Sequence, residues 1–329
     1  MALGGGHGLH ASLSALRRLL DDLVVDDLSA IVTVADNGGS SGRLRSQFAV
    51  LPPGDLRMAL AALCGDDDWG QTWARVLQHR FQGEGDMRGH VVGNLLIVAL
   101  WEQLGDHVAA LDWVGRLLGA RGRVLPMAVE PLDIAAEVTG LDAGDPAAAS
   151  TVRGQVEVAT TAGRIRSVRL EPERPTASAD AVAAVTGADW VVLGPGSWFT
   201  SVLPHLLVPG LREALVHTKG RLVVVLNLAE EGETPGLGPA DHLRVLLEHA
   251  PDLRVHSVLA DTGSVGDRLP ELRSTVAALG ARLVLADVAM APGSHQHDPV
   301  ALSAAYDKVF TGAGRGDDEG AAPAGGGAR

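Results

Sequence analysis

Cysteine is almost missing. Cys64 is the single one in 329 residues, so no disulfide forms within the chain and a cysteine-built zinc site is excluded. Its AALC setting reads as the apolar face of a helix, hence a buried thiol rather than a nucleophile. Aromatics make up 3%, too few for the stacking platforms that single-stranded nucleic acid requires. Positive charge is the scarcer sign. Lys+Arg 27 against Asp+Glu 40 gives −13, which argues against nucleic acid and against an anionic membrane as partners. There is no basic n-region at the N-terminus, and no apolar run reaches membrane-spanning length. The expectation is a soluble, cytoplasmic protein without membrane insertion. Hydrophobic residues reach 46%, mostly Ala, Val and Leu, enough for a sizeable core in one large or two ordinary domains.

The chain is organised around AIVTVADNGGSSGRLR, residues 30–45. Residues 31–35 form a short β-branched, apolar run, expected to be a strand buried on both faces. It breaks at Asp36 into Asn37, Gly38, Gly39, Ser40, Ser41 and Gly42, a loop of small residues followed by Arg43 and Arg45. Such a loop at the carboxyl end of a strand in an open α/β sheet is where ligands sit. Its glycines allow close backbone approach, and successive N–H groups cradle anionic oxygens.

Other segments share this design. Residues 1–3 read as a first strand, then Gly4, Gly5, Gly6, His7 and Gly8 lead into leucines 9, 13, 16, 19 and 20 at helical spacing. Strand, glycine loop and helix together place a phosphate at a helix N-terminus. Gly6 to Ala11 also meets the loose dinucleotide pattern G-x-G-x-x-A, with Asp36 where a ribose-binding acid would stand. A strand over 190–193 ends in Gly194, Pro195, Gly196 and Ser197, followed by Thr200 and Ser201. A strand over 222–226 ends at Asn227, before a loop containing Glu233. These loops are expected to converge on one edge of a parallel sheet.

Further candidates lie between. Gly54 and Asp55 precede a helix over 56–63 that carries Arg57, and Asp55 suits either a helix cap or a ligand. His90 and Asn94, four apart at the start of a helix over 95–104, form either a satisfied polar pair or two groups in a cleft. Alternating runs within 121–170, at 123–125, 134–139, 155–159 and 164–170, suggest an antiparallel insertion or extension of the main sheet. His295 and His297 read as surface residues rather than metal ligands. Residues 312–329 are Gly/Ala-rich and are expected to be a disordered tail behind a single domain over 1–311.

Several segments resemble the gluconeogenesis-factor (YvcK-type) branch of the CofD-like family. They are GGGHGL from Gly4, VTVADNGGSSGRLR from Val32, PPGDLRMALAAL from Pro52, HRF from His79, GHVVGNLL from Gly89 and RGRVLPM from Arg121. LGPGSWFTSVLPHLLVPG from Leu193, and GET at 232–234 with Asp241 and His242, complete the set. The resemblance implies an α/β fold, a Rossmann-like three-layer sandwich with a mainly parallel sheet. It implies a phosphorylated, nucleotide-like ligand. For the YvcK-type branch this is a nucleotide sugar, especially a UDP-sugar, with links to cell shape, wall synthesis and gluconeogenic growth. The CofD branch proper is similar to a 2-phospho-L-lactate transferase, in which Asp36 and Asp55 would hold Mg²⁺. Relatives carry Asp-Asp-Gly-Gly in the central loop, whereas Asn37 supplies an amide here, which suits a hard cation less well. A third alternative is an NAD(P)-dependent oxidoreductase, for which the sequence offers no proton-transfer constellation. Nothing in the sequence sets the oligomeric state, and a homo-oligomer is one of the assemblies it allows.

Overall fold

The computed structural model describes residues 1–228, 234 and 236–312. Its strands are β1 (Ala2–Gly4), β2 (Ser29–Val32), β3 (Arg123–Pro126), β4 (Asp133–Thr139), β5 (Ala149–Arg153), β6 (Arg164–Glu171), β7 (Trp190–Leu193), β8 (Arg221–Val225), β9 (Val255–Asp261) and β10 (Arg282–Ala286). The helices of the first half are α1 (Gly6–Asp21), α2 (Gly39–Phe48), α3 (Gly54–Ala62), α4 (Asp68–Gln78), α5 (Val92–Leu104), α6 (His107–Leu118) and α7 (Gln155–Ala159). Those of the second half are α8 (Ala179–Gly187), α9 (Pro204–Leu207), α10 (Pro209–His217), α11 (Pro239–His249), α12 (Thr262–Val265), α13 (Leu269–Ala278) and α14 (Pro299–Thr311). A π-helical turn covers Trp198–Val202.

Seven strands form one sheet in the order β10-β9-β8-β7-β1-β2-β3, and every pairing in it is parallel. The strand order reverses between β1 and β7. That makes the gap beyond their carboxyl ends the topological switch point of a doubly wound sheet. Helices cover the sheet because its central strands are apolar on both faces: Ala2, Leu3, Val191, Val192, Val223 and Val224 are all buried. The helices dock by amphipathic stripes; on α1, Leu9, Leu13 and Leu16 face inward. Acidic caps fix several starts, among them Asp67 on α4, Asp106 on α6 and Asp298 on α14.

Five sequence expectations about these elements need correction. β2 stops at Val32; Val34 and Ala35 are buried but leave the ladder, a distinction that an apolar run does not encode. The stretch 123–125 is no part of an antiparallel insertion, because β3 lies parallel to β2 at the edge of the main sheet. The antiparallel unit is the smaller sheet β5-β4-β6. Residues 155–159, read as a strand from their alternating valines, form helix α7 instead. Two loops also wind up early: α2 begins at Gly39, inside the expected central loop, and the π-turn begins at Trp198.

Among the described residues no helix is long and apolar enough to cross a membrane. Gly312 caps α14 in a left-handed conformation. The tail expected over 312–329 otherwise lies outside the described residues, as does Glu233.

Candidate functional site

The loops that follow β1, β2, β7 and β8 meet on one edge of the sheet, because these four strands are parallel neighbours. At the switch point the loops after β1, β7 and β8, with α7 and the segment before α14, enclose a cleft of about 580 Å³. Its floor is the start of α1, from Gly5 to Gly8, with the loop Pro195–Ser197 on the other side. Thr200 and Ser201 of the π-turn and Asn227 beyond β8 continue the wall. Two close approaches build this floor. A Cβ on Gly8 would collide with the carbonyl oxygen of Pro195 and lie 2.7 Å from Gly196 Cα. A Cβ on Gly5 would lie 2.7 Å from Asp55 Oδ2 and would overlap the Thr33 methyl. The Gly196 N–H donates to Asn227 Oδ1 at 3.0 Å, which ties the loop after β7 to the end of β8.

Asn37, Gly39, Ser40, Gly42 and Arg43 line a second, more open cleft of about 590 Å³ with Arg80 and Gly89. A partition separates the two clefts. Asn37 Oδ1 accepts the Val156 N–H at 3.0 Å and its Nδ2 donates to Glu157 at 2.8 Å, so its amide holds the start of α7. Val156 in turn lines the switch-point cleft.

Asp36, Gly38, Ser41, Gly54, Asp55, Arg57, His90, Asn94 and Gly194 line neither cleft; most of them form the support behind these loops. Ser40 Oγ is a hub. It lies 3.2 Å from His90 Nδ1 and accepts the Val91 N–H and the Asn94 amide, each at 3.2 Å. Asn94 Oδ1 accepts Arg57 Nε at 2.9 Å. His90 precedes α5 rather than lying on it, yet both residues reach Ser40 because Val91 turns the chain into the helix. Asp36 Oδ1 accepts the Gly38 N–H at 2.8 Å, and the Gly54 N–H donates to Ser41 Oγ at 3.0 Å. Asp55 is not the cap of α3, whose N-cap is Pro53.

The two acids are strongly perturbed. Burial raises Asp36, opposed by the Gly38 N–H and the Ser41 hydroxyl. Burial raises Asp55 to about 7, the charge of Asp36 adds to this, and the Gly6 N–H and Arg57 oppose it. Burial, and then the charge of Arg80, lower Arg57 to about 10. Asp55 Oδ2 has no hydrogen-bond partner, and neither has the neighbouring Thr33 hydroxyl. The described residues contain no group of three or more His, Cys, Asp or Glu that suits a metal. Two carboxylates and a hydroxyl leave most of magnesium's six positions to water and phosphate. This donor set fits a cation that enters with a phosphorylated ligand, not one held by protein alone.

The 2-phospho-L-lactate transferase CofD family profile matches residues 1–291. The chain is 54% identical to a Mycobacterium tuberculosis protein, over 94% of this chain and 89% of that one, whose designation as a gluconeogenesis factor is provisional. It is 37% identical to the gluconeogenesis factor of Listeria innocua, over 82% and 79%. The chain belongs to the CofD-like family, in its gluconeogenesis-factor branch. A crystal structure of a UPF0052-family protein from Bacillus halodurans superposes with a TM-score of 0.78 and 30% identity, covering 92% of this CofD-like chain and 96% of that one.

Part of the CofD-like cleft comes from residues outside the ligand-binding candidates singled out in the sequence. Helix α7 was hidden by its strand-like alternation, yet Gln155, Val156, Ala159 and Thr160 line the wall. His10, three residues beyond His7 on α1, lines it too, and this spacing was a usable signal. His297 is not a surface residue: it is buried and lines the same cleft. The amide of Asn37 serves α7 rather than a cation. Asn37→Asp should therefore loosen α7 by about 0.5–1 kcal/mol, since it sets a carboxylate against Glu157 in an exposed pair. Amide exchange at Val156 should speed up two- to fivefold, and adding Glu157→Gln should reverse most of the effect.

Proposed function

We propose that this protein binds a nucleotide sugar, of the UDP-sugar class, as a regulator tied to cell shape, cell-wall synthesis and growth on gluconeogenic carbon. The observation that carries the reading is the switch-point cleft, floored by the glycine start of α1 and faced by the loop after β7. Backbone N–H groups and the helix dipole at such a floor favour a diphosphate. The hydroxyls of Ser197, Thr200 and Ser201 add neutral donors along one wall. Arg43 and Arg80 beside the second cleft supply positive charge within an otherwise acidic protein.

A thermal-shift panel tests this reading. A UDP-sugar at about 100 times its dissociation constant should add roughly 2.7 kcal/mol of stability. A shift with nicotinamide dinucleotides and none with any nucleotide sugar at millimolar concentration would overturn it in favour of an oxidoreductase.

A transferase of the CofD type is the second reading, favoured by the partnerless Oδ2 of Asp55 close to Asp36. A magnesium ion arriving with the donor would neutralise charge on its phosphates. In that case Asp36 and Asp55 would hold the ion, and the charge of Arg57 opposes their protonation. Metal-dependent transfer from a diphosphate donor to a deazaflavin alcohol would establish this second reading. Tight binding indifferent to chelator, with no product, would leave the regulator reading standing.

A further inference from the structure

At the β8 end of the switch-point cleft, two buried polar atoms have no partner. Asn227 uses Oδ1 to accept the Gly196 N–H, and its Nδ2 is left without an acceptor. His297 donates to the Leu226 carbonyl, and its Nε2 is left without a partner. Both residues line the cleft. They come from separate elements, the end of β8 and the segment just before α14.

An orphaned donor and an orphaned acceptor in one wall are costly unless something satisfies both. We propose that Asn227 and His297 form a subsite that reads a hydroxyl group at the sugar-like end of the ligand, which rests on the nucleotide-sugar reading above. A hydroxyl offers one hydrogen and two lone pairs. Its hydrogen goes to His297 Nε2, and its oxygen accepts from Asn227 Nδ2. A fully ionised phosphate has no hydrogen to give, so the lone pair of a neutral imidazole turns it away. Burial holds His297 neutral by lowering it to about 4, against the Leu226 carbonyl bond and the charge of Asp261. The Asp261 carboxylate is itself occupied: Oδ1 accepts the Val288 and Ala289 N–H groups, and Oδ2 accepts from Ser264. It therefore does not compete for His297 Nε2. The ligand's direction follows. Its phosphates lie over the α1 start, and its hydroxylated end points along β8 rather than toward Asp36.

The test is calorimetric titration of UDP and of UDP-glucose into the wild type, His297→Phe and Asn227→Asp. His297→Phe keeps a ring and removes the acceptor. Asn227→Asp keeps the acceptor for Gly196 and removes the donor. The wild type should prefer UDP-glucose at least tenfold. Each variant should bind UDP within threefold of wild type and lose the preference for the sugar. If UDP and UDP-glucose weaken equally in both variants, the residues only support the wall and the inference is overturned. Unchanged preference in both variants overturns it as well, because neither side chain then reads the hydroxyl. A wild type that binds UDP and UDP-glucose alike overturns the subsite and leaves the nucleotide reading intact. A wild type that binds neither removes the nucleotide reading itself, and the subsite with it.

Discussion

Asp55→Asn should stabilise the protein relative to wild type at pH 8 and lose that advantage below about pH 4. The carboxyl sits near 7 in the folded chain, raised mainly by burial, against an ordinary value of 3.8. The folded state therefore holds a proton that the unfolded chain has released. Wild-type stability from this group declines as pH rises through the window from about 4 to 7, and the full penalty stands above it. At 1.36 kcal/mol per unit, the change across the window is about 4 kcal/mol. Asparagine removes that dependence while its oxygen still accepts the Gly6 N–H. Its new N–H₂ costs about 1–3 kcal/mol where it stays unpaired, and this cost does not vary with pH. The diagnostic quantity is thus the slope of the difference, read from urea midpoints at pH 4, 5.5, 7 and 8. His205 and His297 are both held near 4 by burial. They make both proteins less stable as pH falls from about 6.5 toward 4, and they cancel in the difference. Parallel curves for the two proteins would show that Asp55 is ionised without penalty in the folded state.

Gly8→Ala should cost more than about 3 kcal/mol, at or beyond the upper range for overpacking. The added methyl meets backbone rather than a side chain that could turn aside: the Pro195 carbonyl and, 2.7 Å away, Gly196 Cα. Neither strand has slack. Leu3 pairs with Leu193, and the Gly194 N–H donates to the Leu3 carbonyl at 3.0 Å. Gly6→Ala is the natural control. Its Cβ would meet nothing within 4 Å, and only its φ of +57° resists the change, at about 1–2 kcal/mol. Denaturation midpoints should rank wild type, Gly6→Ala and Gly8→Ala in that order, with a wide gap before the last. Equal losses would mean that α1 and the loop after β7 are not locked together.

Much of this was legible in the residues. β7 was bounded at Trp190–Leu193 because an apolar run ends abruptly in Gly-Pro-Gly, and that punctuation is local. The convergence of the loops after β1, β2, β7 and β8 was legible because a parallel sheet puts every strand's carboxyl end on the same side. Helix α7 was not, because Val156 and Val158 alternate like a strand while Asn37, more than a hundred residues away, anchors the helix start. The burial of His297 was also out of reach, because its setting is the far end of β8 and the Asp261 loop. Ser40 and Ser41, Arg57, and the pair His90 and Asn94 were each legible as candidates, but the network that joins Ser40, His90, Asn94 and Arg57, and the division into cleft wall and support, depend on which atoms are bonded in the fold.

The pairing of β1 with both β2 and β7 carries a consequence for how the protein is made. Strands β1, β2 and β3 can assemble once residue 126 has left the ribosome. The second side of β1 has no neighbour until Trp190 emerges. Through that interval an interior strand of the finished sheet is an exposed, apolar edge, the kind of surface that recruits other chains. The small sheet β5-β4-β6 is synthesised during the wait, between the two halves. The nascent chain is most vulnerable to misassembly over this stretch; the arrival of β7 covers the free side of β1, and the cleft is complete only once the end of β8 and the segment before α14 have followed.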